Sequence, residues 1–105
     1  AARVGAHFQA RLREFVARYA HVGDVRGVGL MAAIEMVESK ASRKTLPRGN
    51  DLPLKIARAA YRRGAMVRVS GPNIILSPPL IITREEIDIL VDALDAAFAE
   101  AEAGA

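Results

Sequence analysis

The chain has 105 residues, 51% hydrophobic and 26% charged, which describes a single domain able to bury a modest core and excludes a disordered segment. It contains no cysteine, which excludes disulfides, zinc–thiolate sites and thiol nucleophiles, and no apolar run reaches the ~18 residues of a membrane span. The formal net charge is +3 and twelve of the fifteen basic residues are arginine, so nucleic-acid binding has to be weighed.

The chain opens on "AARVGAHFQARLREFVARYA". Val4, Phe8, Leu12, Phe15, Val16 and Tyr19 recur at steps of three and four and predict an amphipathic helix with one buried stripe. No cap precedes it, so we expect a piece of a longer chain. "HVGDVRGVGL" is rich in turn formers and reads as a break. "GVGLMAAIEMVESK" is ambiguous: Leu, Met and Ala favour helix, while the apolar run would also suit a buried strand. "ESKASRKTLPRGND" is polar and reads as a surface loop. A second helix follows, with Asp51 as cap, Pro53 in the first turn and Ile56, Ala57, Ala60 and Tyr61 facing inward. Gly64 is suited to end it in the left-handed conformation.

"GAMVRVSGPNIILSPPLIIT" then predicts two short strands, about 65–69 and 73–77, turning at Gly71-Pro72. Strand alternation puts Val67, Val69, Ile74 and Leu76 on a dry face and aims Arg68 the other way. Thr83 and Glu86 form a capping box, with Ile82 and Ile87 as a hydrophobic staple. Ile87, Leu90, Val91, Leu94 and Phe98 supply the last helix's buried stripe before the chain frays in "AEAGA".

The arginines are dispersed, and the five aromatics (Phe8, Phe15, Tyr19, Tyr61, Phe98) form no stacking platform, so the basic charge reads as a solvated surface. "GVGLMA" matches the dinucleotide pattern at Gly27, Gly29 and Ala32. It lacks an apolar strand before it, and the acidic candidate, Asp51, follows a loop, so the match is rejected. His7 and His21 have no companion ligands; His7 is expected to face solvent and His21 to sit in the turn after the first helix. No metal site is expected. The serines lack a nucleophile elbow. Glu35, a carboxylate inside an apolar run, is expected at a sheet rim or paired with an arginine. Lys40 and Lys44 lie in the polar loop and Lys55 in a first helical turn; none has the buried setting of a Schiff-base lysine. Arg68 either snorkels to water or is held by a stiff strand to grip a carboxylate through two parallel hydrogen bonds.

"VGDVRGVGLMAAIEMV", followed by "RRGAMVRVSGPNIILSPPLIITREEIDILVDAL", resembles the C-terminal small domain of class III pyridoxal-phosphate-dependent aminotransferases of the omega type. The most specific parts are Arg26 to Met31 and Pro78 to Thr83. The resemblance implies an α+β fold, a small three-stranded antiparallel sheet with helices packed on one face, and makes the ambiguous segment after Gly27 a strand. It implies one domain over residues 1–105, a parent that moves an amino group between an amine or omega-amino acid and a keto acid, and a likeness of Arg68, ten before Pro78, to the family's substrate-carboxylate arginine. Leu76 stands where ornithine-type members carry theirs. Val69 departs from the proline that often follows the arginine, which leaves the course of the next turn open. The Schiff-base lysine, the aspartate that pairs with the pyridine nitrogen and the phosphate-binding residues belong to the large domain, so no residue here is assigned a catalytic or cofactor-binding role and the isolated chain is expected to be inert. The implied partners are the large domain of the same chain, a second copy in a homodimer, and the amine and keto-acid substrates, with no nucleic acid or membrane. A cytoplasmic location is expected, in keeping with the absence of cysteine. The competing reading is a stand-alone α+β module for ligand binding or protein interaction.

Overall fold

The computed structural model describes residues 2–47, 49–78 and 82–103. Three helices, α1 (Ala2–Arg18), α2 (Leu52–Arg62) and α3 (Arg84–Ala103), accompany four strands, β1 (Val22–Val28), β2 (Met31–Met36), β3 (Arg68–Ser70) and β4 (Asn73–Leu76). The sheet is antiparallel throughout, in the order β1-β2-β4-β3. Among the described residues no helix is long and apolar enough to cross a membrane.

The sheet therefore has four strands where three are expected. The additional one, β1, comes from the segment read as a break. Its glycines are positions of close approach. A Cβ on Gly27 would stand 2.2 Å from the Met31 carbonyl oxygen, and one on Gly23 2.4 Å from a Val37 methyl. Gly23 also falls where the β1–β2 register shifts, between the pairs Val22↔Met36 and Asp24↔Glu35. Bulges of this kind keep Val22 and Val25 both facing the core. The ambiguous segment is strand β2, so the dinucleotide motif is followed by a hairpin rather than a helix. It does have a strand before it, contrary to expectation, but no helix amides to meet a phosphate.

Core residues share one face of the sheet: Val22, Val25, Ala32, Ile34, Met36, Ile74 and Leu76 are buried against Phe8, Leu12 and Phe15 of α1, Ile56, Ala59 and Ala60 of α2, and Ile87, Val91, Leu94 and Phe98 of α3. Phe15, Tyr19 and Phe98 pack with ring centroids 5.2–5.5 Å apart, joining α1 to α3. Such pairs add about 0.5–1.5 kcal/mol each beyond the area they bury. The capping box forms in both directions. Thr83 N–H donates to Glu86 Oε1 (2.9 Å) and Glu86 N–H to Thr83 Oγ1 (3.2 Å). Helix α3 continues through Ala103, so the expected fraying of "AEAGA" does not begin at its first residue.

Two expectations for α2 need correction. Asp51 occupies the N-cap position but makes no side-chain capping bond, and Asn50 Oδ1 accepts from Leu52 N–H instead (2.9 Å). With φ −93° and ψ 3°, Asp51 lacks the extended backbone that aims a cap side chain at the helix amides. Tyr61 faces solvent at 69% exposure, while Ala59, not Tyr61, joins Ile56 and Ala60 inside. Gly64, at φ +87°, ends the helix in the left-handed region as expected.

Candidate functional site

The helices leave the opposite face of the sheet uncovered. The cross-strand register arranges its side chains in two rows. One runs Arg26, Ala33, Ile75, Arg68 and the neighbouring one Asp24, Glu35, Asn73, Ser70. At the β1–β2 turn the same face ends in Val28 and Met31, paired across the strands and 85% and 60% exposed. The two large apolar side chains stand side by side and form an exposed apolar patch at this end of the face.

Arg68 opens β3, an edge strand of three residues whose side chains are all exposed. The strand is shorter and later than the 65–69 expected, because residues 65–67 cross from α2 to the sheet without pairing. Alternation holds. Ile74 and Leu76 are buried, Val67 is partly buried, and Arg68 points to the open side opposite Ile75. Val69 lies on the core side but remains 39% exposed, since an edge strand has a neighbour on one side only. Among the described residues, no ion pair or hydrogen bond engages the Arg68 guanidinium. It stands at the rim of a cleft of about 630 Å³ between this strand edge and α3, lined also by Met66, Ile75, Ile82, Ile89 and Leu90. Of the Pro-Pro element, Pro79, Leu80 and Ile81 lie outside the described residues.

Glu35 is paired with an arginine, as expected. Arg26 Nη2 lies 3.3 Å from its Oε2, and Arg26 Nε lies 4.0 Å from Asp24. The lysines are elsewhere. Lys40 Nζ donates to the carbonyls of Val16 and Tyr19 at the end of α1, Lys44 is exposed in the loop, and Lys55 stands 3.8 Å from Asp51 on α2. No group of His, Cys, Asp or Glu among the described residues could hold a metal ion.

His7 is not the solvated residue expected. Its Nε2 lies 2.6 Å from Asp88 Oδ1, and Arg11 donates to both Asp88 (3.1 Å) and Asp92 (2.8 Å). The hydrogen bonds from His7 and then Arg11 hold the Asp88 carboxyl below the usual carboxylate range. Further along the same seam Arg18 reaches Asp95 (2.6 Å), and the Tyr19 hydroxyl donates to the same carboxylate. Burial, followed by the adjoining Asp95, pushes the Tyr19 phenol up.

Sequence reading passed over Gln9. It is buried beside the turn between β1 and β2, and its Nε2 donates to the carbonyls of Gly29 and Met31, both at 2.9 Å. Its Oε1 is buried with no partner among the described residues. The signal was present: Gln9 lies three residues before Leu12 and seven before Val16, on the inward side of the helix.

With this geometry in hand, comparison with known proteins is specific. A family model described as "Aminotransferase class-III" matches residues 1–98. The chain is 41% identical over 93 residues to an uncharacterised aminotransferase of Sinorhizobium fredii, with 87% of this chain and 20% of that protein aligned. It is 44% identical over 82 residues to the adenosylmethionine-8-amino-7-oxononanoate aminotransferase of Methanocaldococcus jannaschii, aligning 78% of this chain and 18% of that one. Among solved structures, an amine transaminase from an uncultivated Pseudomonas species, in its PLP-bound form, superimposes with a TM-score of 0.90 and 48% identity. That alignment covers 95% of this chain and 22% of the transaminase. The chain thus spans about one fifth of the length of the relatives it matches.

Proposed function

This chain belongs to the class III aminotransferases, and from that membership we propose that it is the C-terminal small domain of a longer, pyridoxal-phosphate-dependent, homodimeric enzyme. The enzyme transfers an amino group between an amine or omega-amino acid and a keto acid. The observation that carries the reading is an uncommitted arginine on a sheet face that none of the three helices covers. Among the described residues Arg3, Arg13, Arg43, Arg58 and Arg84 have no carboxylate partner either; what sets Arg68 apart is its place on the open sheet face, where the other strand arginine, Arg26, is paired with Glu35. The exposed Val28–Met31 pair on the same face supports a surface that meets the rest of the protein.

Bound pyridoxal phosphate supplies an electron sink for the amino group's carbon. The residues of this chain do not fit that group: Lys40 is committed to carbonyls at the end of α1, Lys44 is exposed in its loop and Lys55 stands beside Asp51, so none has the buried setting of a Schiff-base lysine. In this reading the Schiff-base lysine and the phosphate site belong to the remainder of the protein, and this chain by itself has no amino-transfer activity. What it contributes is recognition. The Arg68 guanidinium, held on a strand, meets the planar carboxylate of a keto acid or omega-amino acid through two charge-assisted hydrogen bonds.

The test is an absorbance measurement on the full-length protein reconstituted with pyridoxal phosphate and given an amine donor without a keto acid. Conversion of the cofactor to its amino form is expected. Absence of any cofactor spectrum would sink the reading and favour a stand-alone binding module. In the same protein Arg68→Ala should raise the KM for a keto acid about 10- to 100-fold, the loss of a charge-assisted pair worth about 1.5–3 kcal/mol.

A further inference from the structure

The cleft beside Arg68 has a volume of about 630 Å³, within the range of small-molecule sites. Its walls are mostly apolar, with Met66 leading into β3, Ile75 on β4, Ile82 before α3, and Ile89 and Leu90 on that helix. Met66 and Ile89 are 80% and 69% exposed, so the cleft presents large apolar side chains to water. Two other charged side chains line it, and both are committed. Arg63 lies 2.8 Å from Glu100 and donates to the Ala59 carbonyl (3.3 Å). Glu86 accepts from Thr83 N–H in the capping box. Among the described residues Arg68 is the one charge of this cleft left without a partner.

An apolar cleft with one free cation at its rim matches a carboxylate that carries an apolar chain, because only such a ligand pairs the charge and fills the cleft without burying a polar group. We propose that the cleft takes the carbon chain of the acceptor, and that the acceptor is a 2-keto acid with a straight apolar chain. The inference rests on the reading of Arg68 given above and adds the class of keto acid. In a 2-keto acid the carboxylate and the keto carbon are adjacent. With the carboxylate on Arg68, the keto carbon stays at the open face and the remaining chain is free to lie along Met66, Ile75 and Ile89. An omega-amino acid has its chain between the carboxylate and the amine, so that chain is drawn out of the cleft towards the reacting end. Pyruvate has only a methyl group to offer.

The test is calorimetric titration of the full-length holoenzyme, without an amine donor so that nothing turns over. The probes are pyruvate, 2-oxobutanoate, 2-oxohexanoate and 2-oxooctanoate. Each added methylene should tighten binding about two- to fourfold, so that 2-oxooctanoate binds at least about 30-fold more tightly than pyruvate. Arg68→Ala should weaken every member by a similar factor and leave the gain per methylene in place. Met66→Gln with Ile89→Gln should leave pyruvate within about twofold and cut the gain of 2-oxooctanoate at least about threefold; both side chains are exposed, so the fold tolerates the change. Octan-1-amine should bind far more weakly than 2-oxooctanoate. A series with no chain-length dependence, while Arg68→Ala still weakens pyruvate, would overturn this inference and leave the reading of Arg68 standing. A chain-length gain that the Met66 and Ile89 variant does not alter would place the chain elsewhere and also overturn it. Equal binding of octan-1-amine would do the same. If Arg68→Ala leaves pyruvate unaffected, the reading of Arg68 fails and takes this inference with it.

Discussion

Replacing Gln9 by Glu should be among the most damaging single-atom-scale changes in this chain, and the structure says by how much. The glutamine donates two hydrogen bonds, each 2.9 Å, to the carbonyls of Gly29 and Met31, and keeps a buried Oε1 unpartnered. At about 1 kcal/mol net per bond, losing both donors costs about 2 kcal/mol. Gln9→Met also removes the orphaned oxygen, recovering about 1 kcal/mol, so its net cost is about 1 kcal/mol. Gln9→Glu recovers nothing and turns a carboxylate towards two carbonyl oxygens. At neutral pH its cost should be about 3 kcal/mol or more. For a domain of this size 1 kcal/mol is about 4–5 °C in Tm, so the expected losses are about 5 °C for methionine and about 12 °C or more for glutamate. The pH dependence sharpens the test. Burial beside two carbonyl oxygens disfavours the charged form of a glutamate at this site, so its folded pKa lies above the unfolded value of about 4.3. Between the two values the folded state binds the additional proton. The variant's stability therefore falls as pH rises through that window and levels off above it. Urea unfolding followed by far-ultraviolet circular dichroism at several pH values measures all of this. A Gln9→Glu variant as stable as the parent at neutral pH, or one whose deficit ignores pH, would refute the argument.

Gly27→Ala should destabilise by about 1–3 kcal/mol in the same assay, because its Cβ would meet the Met31 backbone carbonyl at 2.2 Å, whereas Gly23→Ala meets a Val37 methyl that can shift and should cost less. The Asp88 carboxyl, depressed by His7 and Arg11, should titrate below the ordinary range in a side-chain NMR experiment, and His7→Ala should move it upward. Its contribution to stability is present above its unfolded pKa and lost as pH falls through the folded one, so Asp88→Asn should flatten the acid limb of a stability profile. Arg68→Ala should change unfolding free energy by no more than about 0.5 kcal/mol, since the side chain is exposed and unpaired among the described residues. A larger loss would mean that the guanidinium has a structural task.

Features that depend on neighbours within a few residues are legible along the chain. The Thr83–Glu86 capping box joins residues three apart, the Gly71-Pro72 turn joins β3 to β4 directly, and the stripes of α1 and α3 repeat at helical spacing. Alternation alone put Arg68 on the side away from Ile74 and Leu76. The tertiary structure decided everything that joins distant segments. β1 exists because Val22 to Val28 find partners in β2, and its glycines, which read locally as turn formers, are there because larger side chains would collide with Met31 and Val37. His7 meets Asp88 across 81 residues of sequence, Gln9 meets Gly29 and Met31 across a turn, and Tyr61 is left outside while Leu52, Ile56, Ala59 and Ala60 form the buried side of α2. The open face belongs to the same class. Strand periodicity gives each strand two sides, but only the arrangement of all three helices on one of them leaves Arg26, Glu35 and Arg68 together on the other.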